Sequence, residues 1–564
     1  MSGAASIRIA AAHTLDNYNS WGFIVAIVPR GVSNADFSAA LKKFEAALGA
    51  QWVFTKDEDV ALYRDAYSPL WGEPEERLAS AALAPATTEE VQQIVRIANQ
   101  HRIPLYPIST GKNLGYGGSA PNLSGSVVVD LKRMNRVLEV DDKRHFALVE
   151  PGVAYFDLYR HIQEHNLNVW IDCPDPGWGS VIGNALDHGV GYTWGAFRDH
   201  FGSHCGMEVV LPNGEIIRTG MGALPGANSW QDYKYGFGPA VDGLFGQGNF
   251  GIVTKMGFWL MPQPEAYLSG KVTVPKRKDL IALVEHVNYL EDSGLIGQPE
   301  YASPLAPRFT GPPDSTLKAL LEKPEGPSDA ELDTYAAGKG TGLWEVNLQF
   351  YGPANTVNAN WEYAQQRLAS IPGAKFTKGE FYRFPLPEGE RAKLPHKVAM
   401  GIPNLAVFGL GARSDLNPTP NDGHLWFASI IPRTGEAVLE AQRVMSKVYR
   451  DVGVNVGGPL QTPATWHPRT FIMIVGFPLS RSNREINQRS RAAFERVAHA
   501  SAEHGWGEYR APPAFADLIA QAYSYNNHAL LHFCETLKDA ADPNGIMAAG
   551  RGGVWPKHLR GNQT

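Results

Sequence analysis

The segment Pro107-Ile108-Ser109-Thr110-Gly111-Lys112-Asn113-Leu114-Gly115-Tyr116-Gly117-Gly118 constrains this chain more than any other stretch. It follows Ile103–Ile108, which reads as a strand after a helix. Glycines allow positive φ and bring several backbone N–H groups toward one anion. Lys112 and the hydroxyls of Ser109 and Thr110 suit a pyrophosphate. The spacing is neither a Walker loop nor a Rossmann GxGxxG, and glycine density alone is equally consistent with a surface turn. Two more loops of the same texture follow. One is Asp175-Pro176-Gly177-Trp178-Gly179-Ser180-Val181-Ile182-Gly183-Asn184, continuing to Gly189-Val190-Gly191-Tyr192-Thr193. The other is Gly248-Asn249-Phe250-Gly251-Ile252-Val253-Thr254-Lys255. Three such loops point to a long, phosphate-bearing cofactor.

Around them, local patterns predict mixed secondary structure. Apolar residues recur at helical spacing from Ser33 to Leu48, with Ser33 or Asn34 as cap. Thr87 and Glu90 have capping-box spacing before a helix whose apolar face is Val91, Ile94, Val95 and Ala98. Ser126–Leu131 and Phe146–Val149 read as strands. Met207–Leu211, the turn Pro212–Glu215 and Ile216–Arg218 predict a hairpin. Helices and strands mix without strict alternation, which predicts an α+β class. The glycine-rich texture ends near Pro262-Gln263-Pro264, and residues 265–500 read as a second α+β domain.

With 564 residues the chain exceeds one compact core, so two or three domains are expected. A net charge of −6 and the lack of basic runs with interleaved aromatics argue against nucleic-acid binding. Cys173, Cys205 and Cys534 are far apart and fit neither a zinc spacing nor a disulfide framework. No CxxCH occurs, so no c-type haem attaches to this sequence. A reducing, cytoplasmic setting is the expectation. Phe23–Val28 is apolar but too short to span a membrane, and the C-terminal Gly-Asn-Gln-Thr is not a peroxisomal address.

Taken in order, these blocks resemble the flavoprotein family of vanillyl-alcohol oxidase, eugenol oxidase and the flavin subunit of 4-cresol dehydrogenase. The resemblance runs from about Phe37 to Pro556. It is densest at Ile108–Pro121, Glu150–Gly152, Gly183–Thr193, Cys205–Leu211, Arg218–Pro225 and Tyr235–Pro262. It returns at Trp506–Arg510 and Asp542–Ile546. It implies the two-domain FAD-binding fold of the vanillyl-alcohol oxidase type. An N-terminal extension (1–36) precedes an FAD-binding domain (37–264). A cap (265–500) covers the flavin, and 501–564 return to the FAD domain. FAD is then expected to contact Ser109, Thr110, Gly111, Lys112, Asn113 and Gly115 in the first loop. Gly183, Asn184, Gly189 and Thr193 belong to the second, Gly251, Ile252 and Val253 to the third, and Arg551 to the C-terminal segment.

His424 lies in Asn421-Asp422-Gly423-His424-Leu425-Trp426-Phe427. Alone, a histidine before an apolar strand is structural. The resemblance implies a covalent bond from His424 to the flavin 8-methyl carbon, by attack of a neutral imidazole nitrogen. The cresol enzymes use a tyrosine, and the corresponding residue here is Gly411. Tyr116, Tyr509 and Arg510 match the family's phenol-binding group. The chemistry agrees: a phenol with pKa near ~10 needs help to ionise, arginine supplies permanent charge, and tyrosines donate hydrogen bonds. Asp175 matches an aspartate beside flavin N5, expected to hold Arg510 and to act as base or guide water. Tyr192, Trp426, Trp178 and Val190 are expected pocket walls.

The expected reaction is hydride transfer onto FAD from Cα, the substituent carbon attached to the ring para to a phenolic hydroxyl, giving a p-quinone methide that takes up water or loses a proton. Oxygen is the expected acceptor, with a separate cytochrome subunit as the alternative. A homodimer or higher homo-oligomer is implied. Two rivals stand beside this reading. One is a 2-hydroxyacid dehydrogenase on the same fold, because Tyr509-Arg510 also suits a carboxylate. The other is a flavoprotein without catalytic activity.

Overall fold

A computed structural model describes residues 27–306, 313–395, 397–406, 423–452 and 458–561. Its first helix, α1 (Asn34–Leu48), starts where Ser33 accepts a hydrogen bond from Asp36 N. Phe37, Ala40, Phe44 and Leu48 form its buried face. The next long helix, α2 (Thr88–His101), begins at Thr87, whose hydroxyl accepts from Glu90 N at 3.2 Å. The Glu90 carboxylate reaches back to Ala86 N rather than Thr87 N, so the capping box closes one residue further out.

These helices cover a four-stranded sheet of β1 (Val53–Phe54), β2 (Ala81–Leu83), β3 (Leu105–Ile108) and β4 (Val127–Asp130), in the order β1-β2-β4-β3. β4 is parallel to both its neighbours and buried along its whole length, as a parallel strand covered on both faces should be. A second, antiparallel sheet contains β5 (Val137–Asp141), β6 (Phe146–Val149), β7 (His204–Val210), β8 (Ile216–Arg218) and β9 (Ile252–Trp259), in the order β5-β6-β9-β7-β8. The hairpin expected at Met207–Arg218 is β7-β8, with Val209 opposite Ile217.

The third sheet begins just past the change in texture. It comprises β10 (Ala266–Val274), β11 (Glu300–Ala302), β12 (Trp344–Gly352) and β13 (Lys375–Arg383), in the order β11-β12-β10-β13. A further antiparallel pair, β14 (His424–Ile431) and β15 (Phe471–Pro478), runs in register from His424 opposite Pro478 to Ile431 opposite Phe471. Residues of β10, β12, β14 and β15 share one large apolar core. The first two sheets have their own cores.

The chain end returns to the first sheet. Leu105 N donates to the Ile546 carbonyl at 2.6 Å, and Ala548 N donates to the Leu105 carbonyl at 2.8 Å. Ile546 and Met547 pack in the same core as Phe44, Val91 and Val129. Residues 546–548 therefore act as an edge partner of β3, the strand that delivers the first glycine-rich loop. Among the described residues no helix is long and apolar enough to cross a membrane.

Candidate active site

The first glycine-rich loop leaves the end of β3 and folds under tight steric rules. Gly111 has φ +67°, and a Cβ there would lie 2.0 Å from Ser119 Oγ. The second loop presses on the first: a Cβ on Gly183 would lie 2.1 Å from Ser109 Oγ. Gly183 sits in the short helix α3 (Val181–Leu186), capped by Ser180, whose hydroxyl accepts from Gly183 N at 3.0 Å. A side chain at either position would run into a serine of the neighbouring turn, Ser119 at Gly111 and Ser109 at Gly183.

These loops wall a cavity of about 550 Å³. Ser109, Thr110, Gly111, Lys112 and Asn113 line one part of it. Gly183 and Asn184 of the second loop, Gly251, Ile252 and Val253 of the third, and Arg551 of the chain end line the rest. Tyr116, Asp175, Tyr192, Trp426 and Arg510 face the same space. Gln298 and Glu300 join from the third sheet, so segments far apart in sequence meet here.

Other expected residues stand behind or beside this wall. Thr193 is fully buried and donates its N–H and hydroxyl to Asp172. Gly189 lies against the Asn184 amide, Gly115 takes a positive φ of 79° within its loop, and Val190 is buried. Trp178 has its ring 5.1 Å from Lys112 Nζ. Tyr509 lines a second cavity of about 360 Å³, whose wall shares Asp187, Gln247, Arg510 and Arg551 with the first. His424 opens β14. Its side chain and Gly411 lie outside the described residues.

The cluster at the boundary of the two cavities is ordered around one cation. The Arg510 guanidinium carbon lies 4.1 Å from the Tyr116 ring centroid and 5.2 Å from that of Tyr509. The carboxylate beside it is Asp187, with Arg510 Nη1 3.9 Å from Oδ2. Asp187 also pairs with Arg551 and accepts from the Asn113 amide. This corrects the expectation that Asp175 holds Arg510: Asp175 is bonded by Tyr192 instead. Burial pushes the Tyr116 hydroxyl up and that of Tyr509 up to about 12, so both keep their protons and serve as donors. Burial also raises the Asp175 carboxyl to about 6, with the Tyr192 hydrogen bond pulling down and the Glu300 charge adding to the rise.

Three atoms show that this site is built for a ligand. Tyr509 Oη, Arg510 Nε and Asp175 Oδ1 are buried with no hydrogen-bond partner among the described residues. Buried polar atoms of this kind are costly unless something satisfies them. An elongated anionic cofactor against Ser109–Asn113 and Arg551, with a small polar aromatic beside Arg510, matches these residues. Among the described residues no group of three His, Cys, Asp or Glu is placed to hold a metal ion.

Sequence reasoning missed Asp187, Glu508 and His467. Asp187 follows Asn184 in a quoted segment, yet only the fold brings Arg510 and Arg551 to it. Glu508 adjoins Tyr509, and its oxygens accept from Ala428 N and Arg510 N. Burial pushes its carboxyl up to about 8, partly offset by those N–H groups. His467 stands edge-on to Tyr509 with ring centroids 5.7 Å apart, and burial draws it down to about 4, which keeps it neutral.

Comparison with known proteins agrees with this geometry. Residues 79–220 match the model of an FAD binding domain family. The chain is 34% identical to the 4-cresol dehydrogenase [hydroxylating] flavoprotein subunit of Pseudomonas putida, over 94% of this chain and 98% of that protein. Among solved structures, the 4-ethylphenol oxidase of Gulosibacter chungangensis in its isoeugenol complex superposes with a TM-score of 0.79 at 36% identity, covering 95% of this chain and 100% of that one. A substrate-bound p-cresol methylhydroxylase gives 0.79 at 32% identity, covering 94% and 99%.

Proposed function

The chain belongs to the flavoprotein family that contains 4-cresol dehydrogenase, and from that premise we propose that it oxidises para-substituted phenols with FAD. The substrates are 4-alkylphenols, 4-allylphenols or 4-hydroxybenzylic alcohols. One observation carries the reading: Tyr116, Tyr509 and Arg510 are gathered where the two cavities meet, with Tyr509 Oη and Arg510 Nε buried and without a hydrogen-bond partner among the described residues. A phenolate oxygen satisfies both atoms at once, and the guanidinium offsets its charge.

FAD supplies the hydride acceptor. The first loop with Lys112 and Arg551 holds its phosphate-bearing part, within a domain of residues 37–264 and 501–564, and residues 265–500 form the cap. Tyr116, Tyr509 and Arg510 stabilise the phenolate. The phenolate pushes charge through the ring and lets hydride leave Cα, the substituent carbon attached at the para position. Asp175, raised to about 6 by burial, takes or directs a proton as water adds to the quinone methide, or as the methide loses a proton. Tyr192 and Trp426 wall the substrate. His424 carries the covalent link to FAD, oxygen is the electron acceptor, and the working form is a homodimer or larger homo-oligomer.

The test is anaerobic mixing with a panel of para-substituted phenols and their O-methyl ethers. Free phenols are expected to bleach the flavin and the ethers to fail. Equal rates for phenol and ether would remove the phenolate mechanism, and reduction only by 2-hydroxyacids would replace the substrate class. Mixing the reduced protein with air-saturated buffer then identifies the acceptor. Reoxidation slower than turnover with an artificial acceptor would make the protein a dehydrogenase. Flavin fluorescence retained on a denaturing gel, and lost in His424→Ala, tests the covalent bond.

A further inference from the structure

Behind the wall of the main cavity lies a buried polar chain that the reaction above does not use. Asp172, His200, Tyr155 and Thr193 are each at most 5% exposed. Asp172 Oδ2 accepts from Thr193 N at 2.8 Å, and its Oδ1 lies 2.8 Å from His200 Nε2. On the other side of the ring, His200 Nδ1 lies 2.5 Å from Asn184 Oδ1 and 3.0 Å from the Tyr155 hydroxyl. The Tyr155 hydroxyl is also 3.2 Å from Asn184 Oδ1. Asn184 lines the cavity. The loop bearing Tyr192 closes over this chain only because it is glycine-rich. A Cβ on Gly191 would lie 1.3 Å from Asp172 Oδ1, and one on Gly189 2.2 Å from the Asn184 amide.

We propose that Asp172 and His200 are positioning residues that lock the Asn184 amide with its NH2 aimed at the bound FAD. Counting protons and lone pairs supports this. Asp172 accepts, so Nε2 donates. Tyr155 is buried, which raises its pKa well above the ordinary value, so it keeps its proton and must donate. Its hydroxyl donates to Asn184 Oδ1 at 3.2 Å, and His200 Nδ1 stands 2.5 Å from the same oxygen. The oxygen is thereby held on the inner side of the amide, which leaves the NH2 for the cofactor. His200 acts on the cofactor only through Asn184.

The inference rests on FAD occupying this cavity, and its test separates the two. On a His424→Ala background, in which FAD is held without a covalent bond, the parent, Asn184→Ala, His200→Gln and the double variant are prepared as apoproteins and reloaded with FAD. Two readings are taken: the affinity for FAD, and the two-electron midpoint potential of the bound cofactor. Each single variant is expected to lose about tenfold in FAD affinity or to shift the potential by the tenfold equivalent, ~30 mV. The double variant should match the singles, because His200 works through Asn184. Additive losses, a silent His200→Gln beside an active Asn184→Ala, or two silent single variants would overturn the proposal. A parent apoprotein that takes up no FAD would instead refute the cofactor reading. Should His200→Gln fail to fold, Asn184→Asp replaces it. That residue still accepts from His200 and Tyr155 but offers no N–H to FAD, so unchanged affinity and potential would sink the idea.

Discussion

At the residue scale, charge placed where the substrate ionises decides the rate. Arg510 and Tyr509 contribute buried donors that water does not compete for, and such preorganised groups are worth about 10²–10³-fold each in enzymes. Tyr509→Phe and Arg510→Ala should therefore slow anaerobic flavin reduction by roughly 10²-fold while FAD stays bound. Loss of less than a few-fold would exclude the phenolate role. Asp175 gives a pH signature. Its carboxyl sits at about 6 in the folded protein, above its ordinary 3.8, so lowering the pH through 6 protonates the base. Turnover should fall on that acid limb, and Asp175→Asn should be slow at every pH with the limb gone. A limb that persists in Asp175→Asn belongs to another group. Tyr116, Tyr509 and Arg510 were legible in the sequence because two short blocks carry them. Asp187 was not, because its meaning depends on Arg510 and Arg551 arriving from more than 300 residues away in the chain.

At the scale of elements, local signals translated directly. Ser33 and Thr87 start helices because their hydroxyls satisfy free N–H groups at the first turn, and the β7-β8 hairpin follows from alternating apolar residues around an Asn-Gly turn. What local signals could not give is the docking of the chain end against β3, which only the family resemblance implied. That docking is held by the last long helix, α7 (Tyr525–Ala541), and the residue after it. Lys538 and Asp542 are both fully buried, 2.8 Å apart. Lys538 Nζ also donates to the carbonyls of Asn249 and Met547. Asp542 accepts from Ile546 N at 3.0 Å and Met547 N at 2.9 Å. Helical i,i+4 spacing alone says nothing of the burial of this pair. Asp542→Ala leaves a buried ammonium without its counter-charge and frees two backbone N–H groups. The expected cost is about 3–5 kcal/mol, read as a lower denaturant midpoint, with weaker FAD binding because Arg551 is no longer held. A midpoint within error of wild type would mean the chain end is not anchored by this pair.

At the scale of the whole molecule, the cavity is a seam. Ser109 and Asn184 reach it from the side of the first two sheets, Glu300 from β11, Trp426 from β14 and Arg551 from the chain end. Other ties cross this seam, among them the fully buried Arg198, which bonds the Glu291 carboxylate and donates to the Trp466 carbonyl at 2.9 Å. Glu291 lies in helix α4 (Asp279–Asp292) beside the third sheet, so this bond joins the segment after the second glycine-rich loop to the apolar core of the third sheet. A ligand that touches every wall of a seam binds the folded assembly and not the separated halves. Linkage then requires FAD to stabilise the protein by RT ln(1 + [FAD]/Kd), about 2.7 kcal/mol at a hundredfold excess over Kd. In calorimetry of the His424→Ala apoprotein, where FAD binds reversibly, the melting temperature should rise with each addition of FAD. The transition should also sharpen as two loosely coupled cores begin to melt as one. The same linkage runs in reverse. Arg198→Ala lies outside the cavity wall, yet by loosening the seam it should weaken FAD binding and broaden the apoprotein melt. If Arg198→Ala lowered stability but left FAD affinity untouched, the halves would be aligned without that bond, and the cofactor would be held by one side of the seam alone.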